Sequence, residues 1–368
     1  MKPHYSQLRA SIAIAKASLL AMLRSPTSVV FSLLFPIIFI VVFGAMVNNN
    51  SYGIKIGIDQ SADTSNLLFK SIARTGILQL VSYSSDPDMV DDLSKGRIAA
   101  IVRILPDSNV QSKPQYVVQL ITSGSSVDKS PLVSSSLHEI IARINTQMFP
   151  QNGTIAKVET QELPGRIYRS IDFILPGQLG FSLLMAGVFG SSFLLFNLRQ
   201  SLVLKRFFAT PIRRSYLILG EMLSRLFFQI IAFVIMVALG YFVFHFTLVN
   251  GMLTFLEMLL LSVFGLIIFM GMGFIISGLL RNESSIAPVV NTITLPQILL
   301  CGLFFPVENY PHWLQAFCKF LPLTYFVNGL RKIAFEGTHI WQMPTELLGL
   351  TCWAMVIGIV TVKVFRWE

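Results

Sequence analysis

The sequence predicts a polytopic α-helical membrane protein with six transmembrane helices, an inserted small α/β extracytoplasmic domain and a re-entrant outer hairpin after span 5. Of its 368 residues, 53% are hydrophobic and 13% are charged, with a mean hydropathy of +0.66. Soluble globular proteins carry about 25% charged residues, so this composition is typical of a membrane protein. The other two observations are apolar runs of membrane-spanning length and one long polar stretch that interrupts them.

Residues 1–25 are predicted to form an amphipathic helix in the cytoplasmic membrane interface. A helix in a soluble core has the same apolar period, but the position directly before a span favours the interface. Arg9 and Lys16 fall on the polar side of this helix. The apolar residues at helical spacing are Leu8, Ile12, Ala15, Leu19 and Leu23.

Six charge-free runs are long enough to span the hydrocarbon core, which takes about 20 helical residues. The last run suffices when Glu346 and Lys363 lie at the two interfaces. We assign the first transmembrane helix to 26–47 and the other five to 171–368. The runs themselves lie at 29–47, 173–198, 226–249, 258–280, 284–307 and 347–362.

Residues 48–170 are predicted to form a small α/β domain. Short β-rich runs, "IKIGID", "LQLVSY", "AAIVRIL" and "YVVQLI", are separated by segments with helical periodicity. The longest of these, "SPLVSSSLHEIIARINTQMF", places four apolar residues on one face, namely Leu137, Ile140, Ile141 and Ile144. This domain holds 12 Lys+Arg and 11 Asp+Glu, a net charge of +1, so the remaining +8 of the total +9 belongs to the membrane part.

That basic excess indicates orientation in the membrane and not binding of nucleic acid. The N-terminal segment and the loop 199–216 are both rich in Lys and Arg and carry no acidic residue. Both are therefore predicted to be cytoplasmic, together with the C-terminus, which leaves 48–170 outside.

The sequence carries no recognisable catalytic, cofactor-binding or metal-binding motif, and we expect none on this chain. A phosphate-binding loop, an H-E-x-x-H pair and a G-x-S-x-G elbow are all absent from the sequence. Ion-coupled transport needs titratable groups deep in the spans, and Glu221, Arg225 and Glu257 fall near predicted span ends. Glu221 and Arg225, four residues apart on one helix face, are predicted to form an ion pair. If the protein moves a compound against a gradient, the energy has to come from a partner.

The segment "CGLFFPVENYPHWLQAFCKFLPLTYFVNGLRKI" is apolar but contains Pro306, Pro311 and Pro322, too closely spaced for one straight spanning helix. Irregular backbone at membrane depth is tolerated only where protein or a water-filled cavity satisfies it. The segment 303–335 is therefore predicted to re-enter the membrane at an outer mouth, on a dimer axis or an exit path. A surface hairpin that caps the bundle is the alternative.

Four stretches of the sequence resemble the permease subunit of type 2 ATP-binding-cassette (ABC) exporters, in particular the larger members with an outer domain after the first span. The similar stretches are "LRSPTSVVFSLLFPIIFIVVFG", "IDFILPGQLGFSLL", "LKRFFATPIRRSYLILGEML" and "CGLFFPVENYPHWLQAFCKFLPLTYFVNGLR". Their order and spacing cover nearly the whole chain. Gln200 and Leu202 stand where family members often carry an acidic residue and a glycine.

The resemblance implies a homo- or heterodimer of permeases in the bacterial inner membrane, with ATP and Mg²⁺ bound by a separate ABC ATPase subunit. It implies that the loop 199–216 couples to that ATPase, with anionic lipid binding as the alternative role of its charges. The coupling residues are Arg199, Lys205, Arg206, Phe207, Phe208, Thr210, Pro211, Arg213 and Arg214. The outer gate and re-entrant residues are Gly302, Phe304, Phe305, Pro306, Pro311, Trp313, Pro322, Tyr325 and Arg331.

The expected function is export of a hydrophobic or amphipathic compound of the drug, lipid or lipopeptide class. Membrane lipid is an expected partner, and the outer domain suggests a further partner in the periplasm or outside the cell. The alternatives are an ion-coupled secondary transporter and a membrane-anchored sensor that uses its outer domain.

Overall fold

A computed structural model divides the chain into two compact units, a membrane unit of Met1–Ala45 and Ile171–Glu368 and an inserted unit of Met46–Ser170. The residues that the structure describes are 6–24, 33–46, 54–59, 67–74, 78–83, 85–94, 98–106, 116–123, 130–148, 156–163, 169–200, 212, 214–280, 282–303, 307 and 310–364. The membrane unit begins with helices α1 (Gln7–Arg24) and α2 (Phe35–Met46).

The inserted unit is an α/β fold around one five-stranded sheet of order β2-β1-β3-β4-β5. Strand β1 runs parallel to β2 and β3, β4 runs antiparallel to β3, and β5 runs parallel to β4. The apolar face predicted for the longest helix lies in the core of this unit. The elements are β1 (Ile54–Asp59), α3 (Leu67–Arg74), β2 (Leu78–Tyr83), α4 (Asp86–Ser94), β3 (Ala100–Pro106), β4 (Tyr116–Ser123), α5 (Ser130–Met148) and β5 (Ala156–Leu163).

Strand β5, with the sequence "AKVETQEL", is the strand that the apolar pattern did not predict. It forms one edge of the sheet, and of its eight residues only Ala156 is buried. Lys157 and Glu159 form an exposed ion pair at 3.1 Å on this strand. Charged side chains on an edge strand block pairing with further strands, and they also hide the strand from an apolar pattern.

Among the described residues, the membrane unit continues with seven α-helices. These are α6 (Ser170–Gln200), α7 (Arg214–Phe244), α8 (Met252–Leu279), α9 (Ile286–Leu300), α10 (His312–Phe320), α11 (Pro322–Arg331) and α12 (Pro344–Val364). Within the described residues, four helical segments have the length and apolar composition of membrane spans: Ile171–Leu198, Tyr216–Phe244, Met252–Leu279 and Pro344–Val364. Several spanning helices are consistent with the predicted polytopic membrane protein.

The first and fifth predicted runs are shorter as helices. Helix α2 has 12 described residues, and 25–32 before it lie outside the described part of the chain. Helix α9 has 15 residues where a continuous run over 284–307 was predicted. At 1.5 Å per residue it is about 22 Å long, less than the roughly 30 Å of a hydrocarbon core. It ends because Gly302 adopts a left-handed φ of 79°, which glycine tolerates.

The helix of the third span also extends beyond the predicted charge-free run of 226–249. Helix α7 already begins at Arg214, so Glu221 and Arg225 lie within it and not before it. It ends at Phe244, because His245 has a φ of 55° and Phe246 N–H bonds back to Gly240 O at 2.9 Å. The charge-free run therefore identified the later part of this helix and missed its first turns.

Helix α1 packs against α7 through small residues. Ser11 and Ala15 are buried, and a Cβ atom on Gly220 of α7 would lie only 2.6 Å from Ser11 O. Leu8 and Ile12, predicted on the same apolar face as Ala15, are instead 62% and 57% exposed. The buried face of α1 therefore consists of small residues, which allow the two helices to approach closely. The large apolar side chains of Leu8 and Ile12 remain exposed.

Replacing Gly220 by alanine is expected to lower the free energy of unfolding by about 1–3 kcal/mol, because the added Cβ overpacks the α1–α7 contact. The matched control is Gly358→Ala in α12, where a Cβ meets nothing within 4 Å. That substitution should be neutral or stabilising by less than about 1 kcal/mol, since alanine favours helix. Thermal unfolding midpoints in one detergent compare the two, and equal midpoints would contradict the packing described.

Candidate functional site

The predicted coupling residues lie almost entirely outside the described part of the chain. Arg199 and Arg214 are located by their backbones, at the last turn of α6 and the first of α7. The loop between these helices therefore remains a predicted coupling element. The residues outside the description are Lys205, Arg206, Phe207, Phe208, Thr210, Pro211 and Arg213.

The ion pair predicted between Glu221 and Arg225 also remains a prediction. Ser18 Oγ of α1 donates a hydrogen bond of 2.6 Å to Glu221 Oε1. The Arg225 guanidinium lies against α6 at Gly190, where a Cβ atom would collide with Arg225 Nη1. These contacts connect α1, α7 and α6 at the end of the bundle that carries the basic loop.

Residues 303–335, here called the hairpin, are broken into short helices at the prolines. Pro311 is the residue before α10, and Pro322 is the first residue of α11. Proline is well suited to a helix start, because its missing N–H has no helical partner there. Phe304, Phe305 and Pro306 lie outside the described residues.

Arg331, at the end of α11, joins the hairpin to two other helices. Its Nη2 donates to Gly302 O at 2.7 Å and to Phe173 O at 3.1 Å, and its Cζ lies 3.7 Å from the centre of the Phe173 ring. Gly302 follows α9, and Phe173 lies in the first turn of α6. Charge-assisted hydrogen bonds and a cation–π contact are the stronger polar interactions. We call this set of contacts the Arg331 latch.

The other predicted hairpin residues separate into buried and exposed groups. The Tyr325 ring packs on Gly349 of α12, where a Cβ would lie 2.7 Å from the ring. Trp313 instead lies on an exposed face of α10, 70% accessible, together with Phe317 and Phe320. The structure therefore brings Gly302 and Arg331 together and leaves Trp313 on a surface.

Three buried carboxylates lie at the same end of the bundle, here called the hairpin end. Asp172 of α6 accepts hydrogen bonds from Thr247 N at 2.8 Å and Thr247 Oγ1 at 3.2 Å. Glu257 of α8 lies 2.9 Å from His339 Nδ1. Buried carboxylates are stable only when paired, so these contacts hold the ends of the helices in one arrangement.

The third carboxylate, Glu346 at the start of α12, accepts a 2.6 Å hydrogen bond from Lys332 Nζ. Sequence reasoning did not identify these carboxylate contacts, because their partners lie on different elements with no common spacing. Glu257 and His339, for example, are 82 residues apart. The one available signal was the presence of a single acidic residue directly before each of three apolar runs.

Substituting Arg331 by lysine is expected to destabilise the protein by roughly 2 to 3 kcal/mol. The ammonium keeps the charge but cannot donate to both carbonyls in the fixed geometry of a guanidinium. Lys319→Ala, on the exposed face of the same hairpin, is the control and should change stability by less than about 0.5 kcal/mol. Thermal midpoints at equal detergent concentration test this, and a stable Arg331→Lys variant would show that the latch contributes little.

Removing Lys332 alone should be worse than removing the pair. Lys332→Met leaves the buried Glu346 carboxylate without its cation, at a cost of about 3 kcal/mol. The double variant Lys332→Met/Glu346→Met replaces both charges by apolar groups and should regain most of that loss. A double variant less stable than Lys332→Met would contradict this expectation, because it would show that the unpaired Glu346 carboxylate is no more costly in the folded protein than a methionine.

Comparison with known proteins agrees with this architecture. Residues 26–363 match the family described as ABC-2 family transporter protein. The chain is 23% identical to the probable multidrug ABC transporter permease YbhS of Escherichia coli (strain K12), across 93% of both chains. It is 20% identical to the linearmycin resistance permease protein LnrN of Bacillus subtilis (strain 168), across 92% of this chain and 94% of that one.

A eukaryotic relative is ABC transporter G family member 20 of Dictyostelium discoideum, 20% identical across 97% of this chain and 51% of its own length. The resemblance found in the four sequence stretches is thereby confirmed. The chain belongs to the ABC-2 transporter family, as the permease subunit of an ABC exporter in which ATP hydrolysis is not the role of the membrane subunit.

Proposed function

We propose that this permease works as a homo- or heterodimer in the bacterial inner membrane and exports a hydrophobic or amphipathic compound. ATP and Mg²⁺ bind to a separate ABC ATPase subunit, and this chain supplies the membrane pathway. The names of two relatives support the substrate class, since one is named a probable multidrug permease and the other a linearmycin resistance permease.

The proposed topology has six spans with both termini in the cytoplasm. Helix α2 belongs to the first span, α9 is a short fifth span, and the other four helices meet the length of a membrane crossing. The inserted unit and the hairpin end then face outward, and the loop 199–216 faces the cytoplasm. The Lys and Arg excess of the N-terminal segment and of that loop supports this orientation.

The observation that carries the proposal is the contact of α1 with the first turns of α7. Close packing of Ser11 on Gly220 and the hydrogen bond from Ser18 to Glu221 hold α1 next to the start of the third span. The basic loop 199–216 leads directly into that same start. A partner that pushes on the loop or on α1 therefore acts on one connected structure.

In the proposed mechanism, the hairpin end acts as the outer gate. Closure of the ATPase dimer displaces the cytoplasmic ends of the spans, and the hairpin opens as an outer gate when the Arg331 latch releases Phe173 O. The gate is a two-state element biased by a ligand that binds to another chain. Ion coupling is less supported, because Asp172, Glu257 and Glu346 are each bonded to protein groups among the described residues.

The proposal is tested by purifying the chain in mild detergent from its native membrane and identifying co-purifying proteins by mass spectrometry. An ABC ATPase is expected in stoichiometric amount. Reversal of Lys205, Arg206, Arg213 and Arg214 to Glu should remove it, because these positive charges would face the partner.

The matched control reverses four exposed basic residues outside the loop, Lys70, Arg143, Lys157 and Lys319, which carry the same total charge. This variant should retain the ATPase. Loss of the ATPase in both variants would mean that net charge and not the loop governs binding, and absence of any ATPase after cross-linking would contradict the proposal.

A further inference from the structure

We propose that Glu221 exchanges between two partners, Ser18 on α1 and Arg225 on its own helix, and that this exchange reports the position of α1 to the second and third spans. The coupling role of this exchange rests on the proposed function. The exchange itself is a property of this chain.

The first partner is engaged in the structure. Glu221 Oε1 accepts the Ser18 hydroxyl at 2.6 Å, across a partly buried contact between α1 and α7. A hydrogen bond to a charged acceptor is among the stronger ones, so it holds α1 at this height along α7. Gly220, the preceding residue, permits the close approach of the two backbones.

The second partner, Arg225, lies one turn further along α7. Residues four apart on a helix lie on one face, within reach of an ion pair. Glu221 is the opposite charge that acts on the Arg225 guanidinium. Arg225 Nε is inaccessible to solvent and has no hydrogen-bond partner among the described residues. A buried charged donor without a partner is unfavourable, so Arg225 favours any arrangement that brings Glu221 closer.

The position of Arg225 connects this choice to α6. Its guanidinium rests against Gly190, in space that any side chain at that position would fill. When Glu221 accepts the hydrogen bond from Ser18 of α1, the Arg225 guanidinium stays against Gly190 of α6. When α1 is displaced, Glu221 turns toward Arg225 and draws the guanidinium away from Gly190, which loosens the contact between α6 and α7.

The test measures the distance between α1 and the bundle with nitroxide labels at Ala17 and Leu279, two exposed positions, in the full-length chain in lipid nanodiscs without nucleotide. Cys352, the exposed cysteine, is first changed to serine. Ser18→Ala should raise the population of a second distance on the order of tenfold, because one charge-assisted hydrogen bond is lost. Ser18→Thr keeps the hydroxyl and should retain the original distribution.

The double variant Ser18→Ala/Arg225→Gln separates the exchange from simple detachment of α1. If Glu221 moves to Arg225, removing the guanidinium charge should return the second distance to its original population. An unchanged distribution in Ser18→Ala, or a double variant identical to Ser18→Ala, would overturn the proposal. Should Ser18→Ala fail to fold, Glu221→Gln supplies the converse test, since its amide keeps a hydrogen bond to Ser18 but cannot attract Arg225, so it should lower the population of the second distance below that of the unsubstituted chain.

The complex with the co-purifying ATPase distinguishes this proposal from the proposed function. ATP with vanadate should populate the second distance in the unsubstituted chain and fail to do so in Glu221→Gln. If no ATPase co-purifies but the nucleotide-free variants behave as expected, the exchange stands and its coupling role falls. If the ATPase binds and hydrolyses ATP while no variant moves the distances, the exchange is wrong and the exporter assignment is unaffected.

Discussion

The hairpin end depends on one constraint, which is that backbone carbonyls near the membrane need donors. The left-handed Gly302 ends α9, and the carbonyl of Gly302 itself is taken up by Arg331. The same guanidinium bonds Phe173 O and covers the Phe173 ring, so it fastens the break in one helix to the start of another. The break in the fifth span is stabilised because the Arg331 guanidinium supplies several hydrogen-bond donors in one rigid plane.

Paired carboxylates extend that constraint to the rest of the hairpin end. Asp172, Glu257 and Glu346 lie on three different helices, and each is bonded to a group from another part of the chain. Such pairs add little net stability compared with apolar packing, but breaking any one leaves a buried charge. They therefore favour a closed arrangement that changes as a whole, which is the behaviour that a gate requires.

Sequence reasoning predicted the elements that have a regular apolar pattern. It missed the features that depend on contacts between residues far apart in the sequence. Four strands of the inserted unit follow from their β-rich apolar runs, while β5 has Lys157 and Glu159 on its exposed edge and gives no such signal. The break at Gly302 was visible from neighbouring prolines. The bonding of Arg331 to Phe173 was not, because the two residues are 158 positions apart and a carbonyl acceptor has no side-chain signature.

Helix α6 links the two ends of the mechanism. Phe173 in its first turn belongs to the Arg331 latch, and Gly190 carries the Arg225 guanidinium. Phe173 and Gly190 are 17 positions apart, which corresponds to about 26 Å of helix at 1.5 Å per residue. Ser192 Oγ bonds Gly273 O of α8, which keeps this part of α6 on the core of the bundle. In the proposed mechanism, a displacement at Gly190 is transmitted along this helix to Phe173, so that the release of the Arg331 latch depends on the position of α1.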